Sequence, residues 1–141
     1  MPTLILSLRQ SVLRLLPVCL LFLCLSPVGL SDAQTIRSPD MLALQGRWIR
    51  TDSPYVIELR NAKDGSFQAA YFNPKPIHVG KTEVAEKDGF LQIMIELQDV
   101  NYPGSTYVLR YNRAQDVLQG IYFHPASQQS YEVGFVRQVA Q

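Results

Sequence analysis

The sequence is poor in several features that would announce a function. It has 2 cysteines, and both, Cys19 and Cys24, stand near its beginning. It has 1 tryptophan and no real surplus of charge, with 13 Lys and Arg against 12 Asp and Glu. From Gly46 onward no apolar stripe recurs at the spacing of an amphipathic helix.

Each shortage excludes something. Without a cysteine after Cys24, the rest of the chain has no disulfide framework, no thiolate zinc site and no cysteine nucleophile. A neutral chain lacks the basic surface that displaces counterions from phosphate, so nucleic acid is not an expected partner. There is no glycine-flanked serine elbow, and the 8 glycines are scattered rather than gathered into a phosphate-cradling loop. A metal site needs three or four ligands, whereas His78 and His124 have only Glu83 and Glu132 as nearby carboxylates. No metal, cofactor or catalytic residue is expected, and the histidines read as surface or rim residues.

What is present divides the chain. Arg9 and Arg14 precede the apolar run Leu15 to Leu25, which is too short to cross a bilayer core of ~30 Å as a permanent helix. Pro27 and Gly29 end it, and Ser31-Asp32-Ala33 offers small residues to a signal peptidase. Residues 1–33 therefore read as a signal peptide cleaved near Ala33, residues 34–45 as a lead-in segment and residues 46–141 as one β-barrel domain. Acylation at a cysteine is disfavoured because Val18 and Leu23, not small residues, precede Cys19 and Cys24. The exported product, periplasmic or extracellular, has 108 residues with 11 basic and 11 acidic side chains. That is one domain, expected to be a monomer without a permanent membrane span.

The mature part alternates apolar and polar residues with the period of strands. Leu91, Ile93, Ile95 and Leu97 point one way, and Gln92, Glu96 and Gln98 the other. Tyr55, Ile57 and Leu59 oppose Glu58 and Arg60; Tyr107, Leu109 and Tyr111 oppose Arg110 and Asn112; Tyr131, Val133 and Phe135 oppose Glu132. Asp64-Gly65 and Asp88-Gly89 suit tight hairpins, Pro103-Gly104 fits a type II turn, and Pro74, Pro76 and Pro125 end strands. Eight strands result: 46–51, 54–61, 66–73, 77–86, 90–98, 105–112, 117–124 and 130–137.

Eight antiparallel strands with one apolar face each bury it in an up-and-down barrel or a two-sheet sandwich. The short connections favour the barrel, because the Greek keys of a sandwich need long crossovers. Ser38-Pro39-Asp40 reads as the start of a helical turn, with Met41, Leu42 and Leu44 available to plug one barrel end. Two segments echo each other: Phe67-Gln68-Ala69-Ala70-Tyr71-Phe72-Asn73-Pro74 and Leu118-Gln119-Gly120-Ile121-Tyr122-Phe123-His124-Pro125. They read as two strands obeying one rule, an aromatic pair closed by a proline.

Gly46-Arg47-Trp48 after a short helical turn resembles the glycine-x-tryptophan opening of the calycin barrels, the lipocalins, avidins and fatty-acid-binding proteins. In those families the tryptophan packs at the closed end against an arginine of the last strand, which the resemblance places at Arg137. It implies an eight-stranded lipocalin- or avidin-like barrel whose floor is built from Gly46, Trp48 and Arg137. The blocks Tyr71 to Val79 and Asp99 to Tyr107 resemble a group of small, exported, uncharacterised bacterial proteins, and no activity comes with that likeness.

Within such a barrel, Tyr55, Tyr71, Tyr107, Tyr111, Tyr122 and Tyr131 face inward, either lining a small-molecule pocket or filling the interior. Arg50, on the face of Trp48, is the charged residue expected to look inward, whereas alternation sends Glu58, Arg60 and Arg110 outward. The stretch 99–105 reads as the longest loop, with Val100 and Tyr102 as anchors for a protein partner or, for Tyr102, as a cap on the barrel end. The expectation is an exported barrel binding a small apolar or amphipathic ligand or an envelope component. The alternative is a protein-interaction module, such as an inhibitor of a secreted hydrolase, acting through 99–105.

Overall fold

The structure, a computed structural model, describes residues 38–139, with side chains from Met41 onward. The expected signal peptide, its cleavage near Ala33, both cysteines and the start of the lead-in segment lie outside the described residues.

A short helix, α1 (Ser38–Leu44), runs straight into nine strands: β1 (Gly46–Arg50), β2 (Val56–Asn61), β3 (Phe67–Asn73), β4 (Lys75–Ile77), β5 (Val79–Lys87), β6 (Phe90–Asp99), β7 (Tyr102–Asn112), β8 (Val117–His124) and β9 (Gln129–Arg137). They form one antiparallel sheet in the order β4-β3-β2-β1-β9-β8-β7-β6-β5, nearly closed into a barrel. First and last strands pair, with Trp48 opposite Arg137. The seam falls mid-chain, between β3 and β5, where a side chain substitutes for sheet pairing: Ala69 N donates to Thr82 Oγ1 at 3.2 Å.

Nine strands replace the expected eight because the stretch 77–86 breaks at His78. Tyr71 pairs with Ile77 and Asn73 with Lys75, so the chain reverses tightly around Pro74 and β4 becomes an edge strand on β3. Pro76 is tolerated there because an edge strand has one side free of the ladder. Beyond His78 the chain leaves β3 for β6 on the other side of the seam.

The turn chemistry is mostly as expected. Asp88 and Gly89 both take positive φ, 53° and 77°, and make the two-residue hairpin between β5 and β6. Gly65 has φ 81°, and Ser66 donates from both N and Oγ to Asp64 Oδ1. Pro103-Gly104 is a correction. Leu97 pairs with Ser105 but Gln98 with Pro103, so Gly104, at φ 76°, is the extra residue of a β-bulge inside β7 rather than the corner of a turn. The expected long loop 99–105 shrinks with it to the two residues between Asp99 and Tyr102.

Inward alternation builds the core. Trp48, Ile57, Ile93, Ile95, Leu97, Tyr107, Leu109, Leu118 and Phe135 are fully buried. Outward residues carry the charge: Glu58 lies between Arg47 at 2.9 Å and Arg60 at 3.7 Å, and Arg110 meets Asp88 at 3.6 Å. Of the three apolar residues expected to plug the barrel, Leu44 is fully buried, Met41 is partly buried and Leu42 is exposed, as one face of a single helical turn requires.

One end is closed by a floor around Trp48. Arg137 lies over the indole face, 4.2 Å from the ring centroid, and donates to the carbonyls of Gln45 at 2.6 Å and Ala43 at 2.8 Å. Asp116, in the β7–β8 turn, clamps that guanidinium with two hydrogen bonds of 2.6 and 2.8 Å. Gly46 has φ 134°, and a Cβ there would stand 2.8 Å from Arg137 Nη1, so glycine is required twice over.

The Arg137 guanidinium holds the Asp116 carboxyl below the usual carboxylate range. A folded-state value below the unfolded one means the stabilisation is full above about pH 4 and is lost as pH falls through the folded value. The thermal midpoint should therefore drop on acidification below about pH 4. Asp116→Asn should lower the midpoint at neutral pH and flatten that dependence. Asp52, Asp64 and Asp99, also held low by hydrogen bonds, keep part of the slope. Parallel melting series of the two proteins check this, and identical slopes would remove Asp116 from the account.

Candidate functional site

The opposite end is open, and the aromatic residues gather there. Six of the 7 tyrosines, at positions 55, 71, 102, 107, 122 and 131, form a chain of ring contacts in this half of the barrel. Tyr107 is its centre, with ring centroids 4.6 Å from Tyr122, 5.6 Å from Tyr71 and 5.7 Å from Phe135. The two echoing segments supply Tyr71 and Tyr122, one on each side of Tyr107.

The interior beneath the mouth is filled. Tyr107 is fully buried and Tyr71 nearly so, and their hydroxyls lie 3.0 Å apart in one hydrogen bond. Burial pushes the Tyr107 hydroxyl up to about 12, and it raises that of Tyr71 further. Both remain neutral hydrogen-bonding groups at physiological pH. They form the base of a site rather than the wall of a hollow barrel.

Above them lies a cleft of about 400 Å³. Arg50 ends β1, Asp52 and Ser53 follow in the β1–β2 connection, and Tyr55 precedes β2, held by the Arg50 N to Tyr55 O hydrogen bond of 2.9 Å. Tyr122 and His124 end β8, Ser127 belongs to the 3-10 turn Pro125–Ser127, and Tyr131 starts β9 opposite Tyr122. The Tyr122 and Tyr131 rings stack at 6.2 Å, and Tyr131 is 44% exposed. Five of the six prolines among the described residues, those at positions 54, 74, 76, 103 and 125, stand at this end, where fixed φ angles stiffen the rim.

Arg50 looks inward, as alternation with Trp48 requires, and its side chain is 12% exposed. Its guanidinium carbon lies 5.6 Å from the Tyr55 ring centroid, and the group lies beside the Tyr107 hydroxyl. Asp52 neutralises it, with Oδ1 2.6 Å from Nε and Oδ2 accepting from Nη2 at 3.1 Å. The Nε contact is an ion-pair distance without hydrogen-bond alignment, so Nε is a buried donor without a hydrogen-bond acceptor. Ser53 Oγ and the fully buried Ser105 Oγ are also without hydrogen-bond partners. Ser105 stands beside the Tyr122 hydroxyl, which burial pushes up, but is not aligned to bond it.

The sequence-expected lining residues thus separate into three groups. Tyr55, Tyr122, Tyr131 and Arg50 line the cleft; Tyr71 and Tyr107 lie under it. Tyr111 belongs to the floor at the other end, with its ring edge 5.8 Å from Trp48 and its hydroxyl donating to Asp116 at 2.9 Å. Of the expected interaction anchors, Tyr102 is a packing residue of β7, its ring against Tyr71 and its hydroxyl accepting from Asn73 Nδ2. Val100 alone projects from the rim, 90% exposed. Sequence reasoning did not single out Ser53, Ser105, Ser127 or Asp116, because small polar residues in connections carry no periodic signal.

His124 Nδ1 meets Ser127 Oγ at 3.0 Å, but the two residues belong to one tight turn and the serine also donates to the His124 carbonyl at 3.5 Å. This is local turn chemistry, and no carboxylate among the described residues bonds the histidine. Also among the described residues, no cluster of three or more His, Cys, Asp and Glu is placed to hold a metal ion, and no helix is long and apolar enough to cross a membrane. Compared with protein-family models, curated proteins and solved structures, the chain matches none.

Proposed function

We propose that this chain is an exported, monomeric, calycin-like barrel that binds a small amphipathic molecule, or part of an envelope component, in its open end without catalysing a reaction. The observation that carries the reading is the cleft: a concave, stiff-rimmed site with aromatic walls, converging polar groups and a buried cation at its base. Its volume of about 400 Å³ lies in the lower part of the range typical of ligand sites, roughly 300–1,000 Å³. The calycin reading draws on the floor, where Gly46, Trp48 and Arg137 make the contacts that the resemblance implies. The interior side chains Tyr107, Phe135 and Leu97 are fully buried, which leaves no accessible space around them for an acyl chain and favours a ligand at the mouth.

Native mass spectrometry of the protein purified from the exported fraction of its own cells tests this. The expected species begins after Ala33 and carries a bound small mass. A species retaining residues 1–33 would overturn export with cleavage. A co-purifying protein instead of a small mass would overturn ligand carriage in favour of the interaction module, for which Val100 at the β6–β7 tip is the exposed anchor.

A further inference from the structure

The chemistry of the cleft narrows its ligand. Every side chain lining it carries a hydrogen-bonding group, and there is no aliphatic residue among them. Its apolar surface comes from the rings of Tyr55, Tyr122 and Tyr131. A purely apolar ligand would strand these polar groups away from water. A ligand that fits has an apolar face and a hydrogen-bonding edge on the same small ring.

Charge narrows it further. Arg50 would attract a carboxylate or phosphate, but Asp52 already occupies its Nε and Nη2 side. An incoming anion would have to displace Asp52 or sit beside it, against Coulomb repulsion. A neutral ligand leaves the pair intact and uses what remains. The Asp52 side chain is 58% exposed, so its carboxylate still has lone pairs to offer. The hydroxyl of Ser53 stands at the wall beside that carboxylate without an aligned hydrogen bond, leaving a donor and an acceptor. Polar atoms left open in this way call for a partner that both donates and accepts, as a sugar hydroxyl does.

We propose that the cleft binds a neutral sugar ring, its C–H face against Tyr131 and Tyr55 and its hydroxyl edge on Asp52 and Ser53. This rests on the ligand-binding reading above and assigns its chemical class. The same chemistry is offered by a free sugar and by a sugar unit of an envelope glycan. The cleft is open on its outer side, where Tyr131 and Asp52 are exposed.

Saturation-transfer NMR on the purified exported protein, with millimolar glucose, N-acetylglucosamine, cellobiose and chitobiose, tests the assignment. Glucuronate and dodecanoate serve as anionic and apolar comparisons. Neutral sugars should bind, and Tyr131→Ala and Ser53→Ala should each weaken binding about tenfold while leaving the melting midpoint near that of the parent. Arg110→Ala, on the outer face, should change nothing. Disaccharides binding at least tenfold tighter than monosaccharides would identify a glycan chain, and equal affinities a free sugar; both sustain the class. Glucuronate binding more tightly than glucose would overturn the neutral assignment. Dodecanoate alone binding, with sensitivity to Tyr131→Ala, would overturn the sugar while leaving a small-ligand site. No probe binding, together with no small mass on the purified protein, would overturn both.

Discussion

Trp48→Ala is expected to cost the barrel ~3–5 kcal/mol, the usual range for deleting a fully buried tryptophan. Three losses combine. The indole is fully buried and leaves a cavity at the floor that the rigid strands on either side cannot collapse to fill. Its Nε1 donates to the Leu44 carbonyl at 3.0 Å, so the last residue of α1 loses its partner and the helix its attachment. Arg137 loses the ring beneath it, worth ~0.5–2 kcal/mol as a cation–π contact, while staying tied to Asp116 and to the carbonyls of Ala43 and Gln45.

At roughly 4–8 °C per kcal/mol for a domain of this size, the thermal midpoint should fall by at least about 12 °C. Far-UV circular dichroism or calorimetry measures it, since the substitution removes the sole tryptophan. Trp48→Phe should recover part of the loss, restoring apolar area without the Nε1 donor. A midpoint within about 2 °C of the parent would show that the floor does not close the barrel as described.

That floor joins the two ends of the domain. Gly46, Trp48 and Arg137 stand at the two ends of the domain, and pairing of β1 with β9 brings them together. Asp116 completes the clamp but could not be read, because an aspartate at φ 51° between two strands has the signature of any tight turn. The strands themselves were legible wherever one face is buried, as in Leu91, Ile93, Ile95 and Leu97, since burial imposes the period of two. The break at His78 was not, because it depends on where a curving sheet meets its own seam.

The tyrosines show the same limit more sharply. Tyr107 and Tyr111 share a strand and a face, and periodicity assigns them together. Four residues of strand separate them by ~13 Å, enough to put one under the mouth and the other on the floor. A period of two gives the face of a residue and says nothing of its depth along the barrel. Which end opens follows from the connections. The tight positive-φ hairpins at Gly65 and Gly89 lie at the floor, and five of the six described prolines at the mouth.

Gly120→Ala should be the most damaging substitution of a small residue. A Cβ at Gly120 would lie 2.0 Å from the Val108 carbonyl oxygen and 2.9 Å from the Leu109 Cα. Both are backbone atoms of β7, to which Gly120 is paired opposite Leu109. A side chain in the way could rotate, whereas a strand held on both sides by its ladder has to move bodily. The cost should reach or exceed the ~3 kcal/mol upper end of ordinary overpacking.

Two other glycines separate sterics from backbone conformation. Gly89→Ala meets nothing within 4 Å but sits at φ 77°, and should cost only the ~1–2 kcal/mol of a left-handed residue. At Gly134 the nearest atom is Thr51 Oγ1 at 3.4 Å and φ is ordinary, so alanine there should be close to neutral. Chemical denaturation of the three variants should rank them Gly120, Gly89, Gly134 from most to least destabilised. Gly120→Ala within about 1 kcal/mol of the parent would mean that β7 and β8 do not approach as closely as described. The consequence reaches the cleft, because Tyr122 stands two residues along the same strand and face. Pushing β8 away from β7 pulls its ring off Tyr107, the contact of 4.6 Å that holds the aromatic chain together.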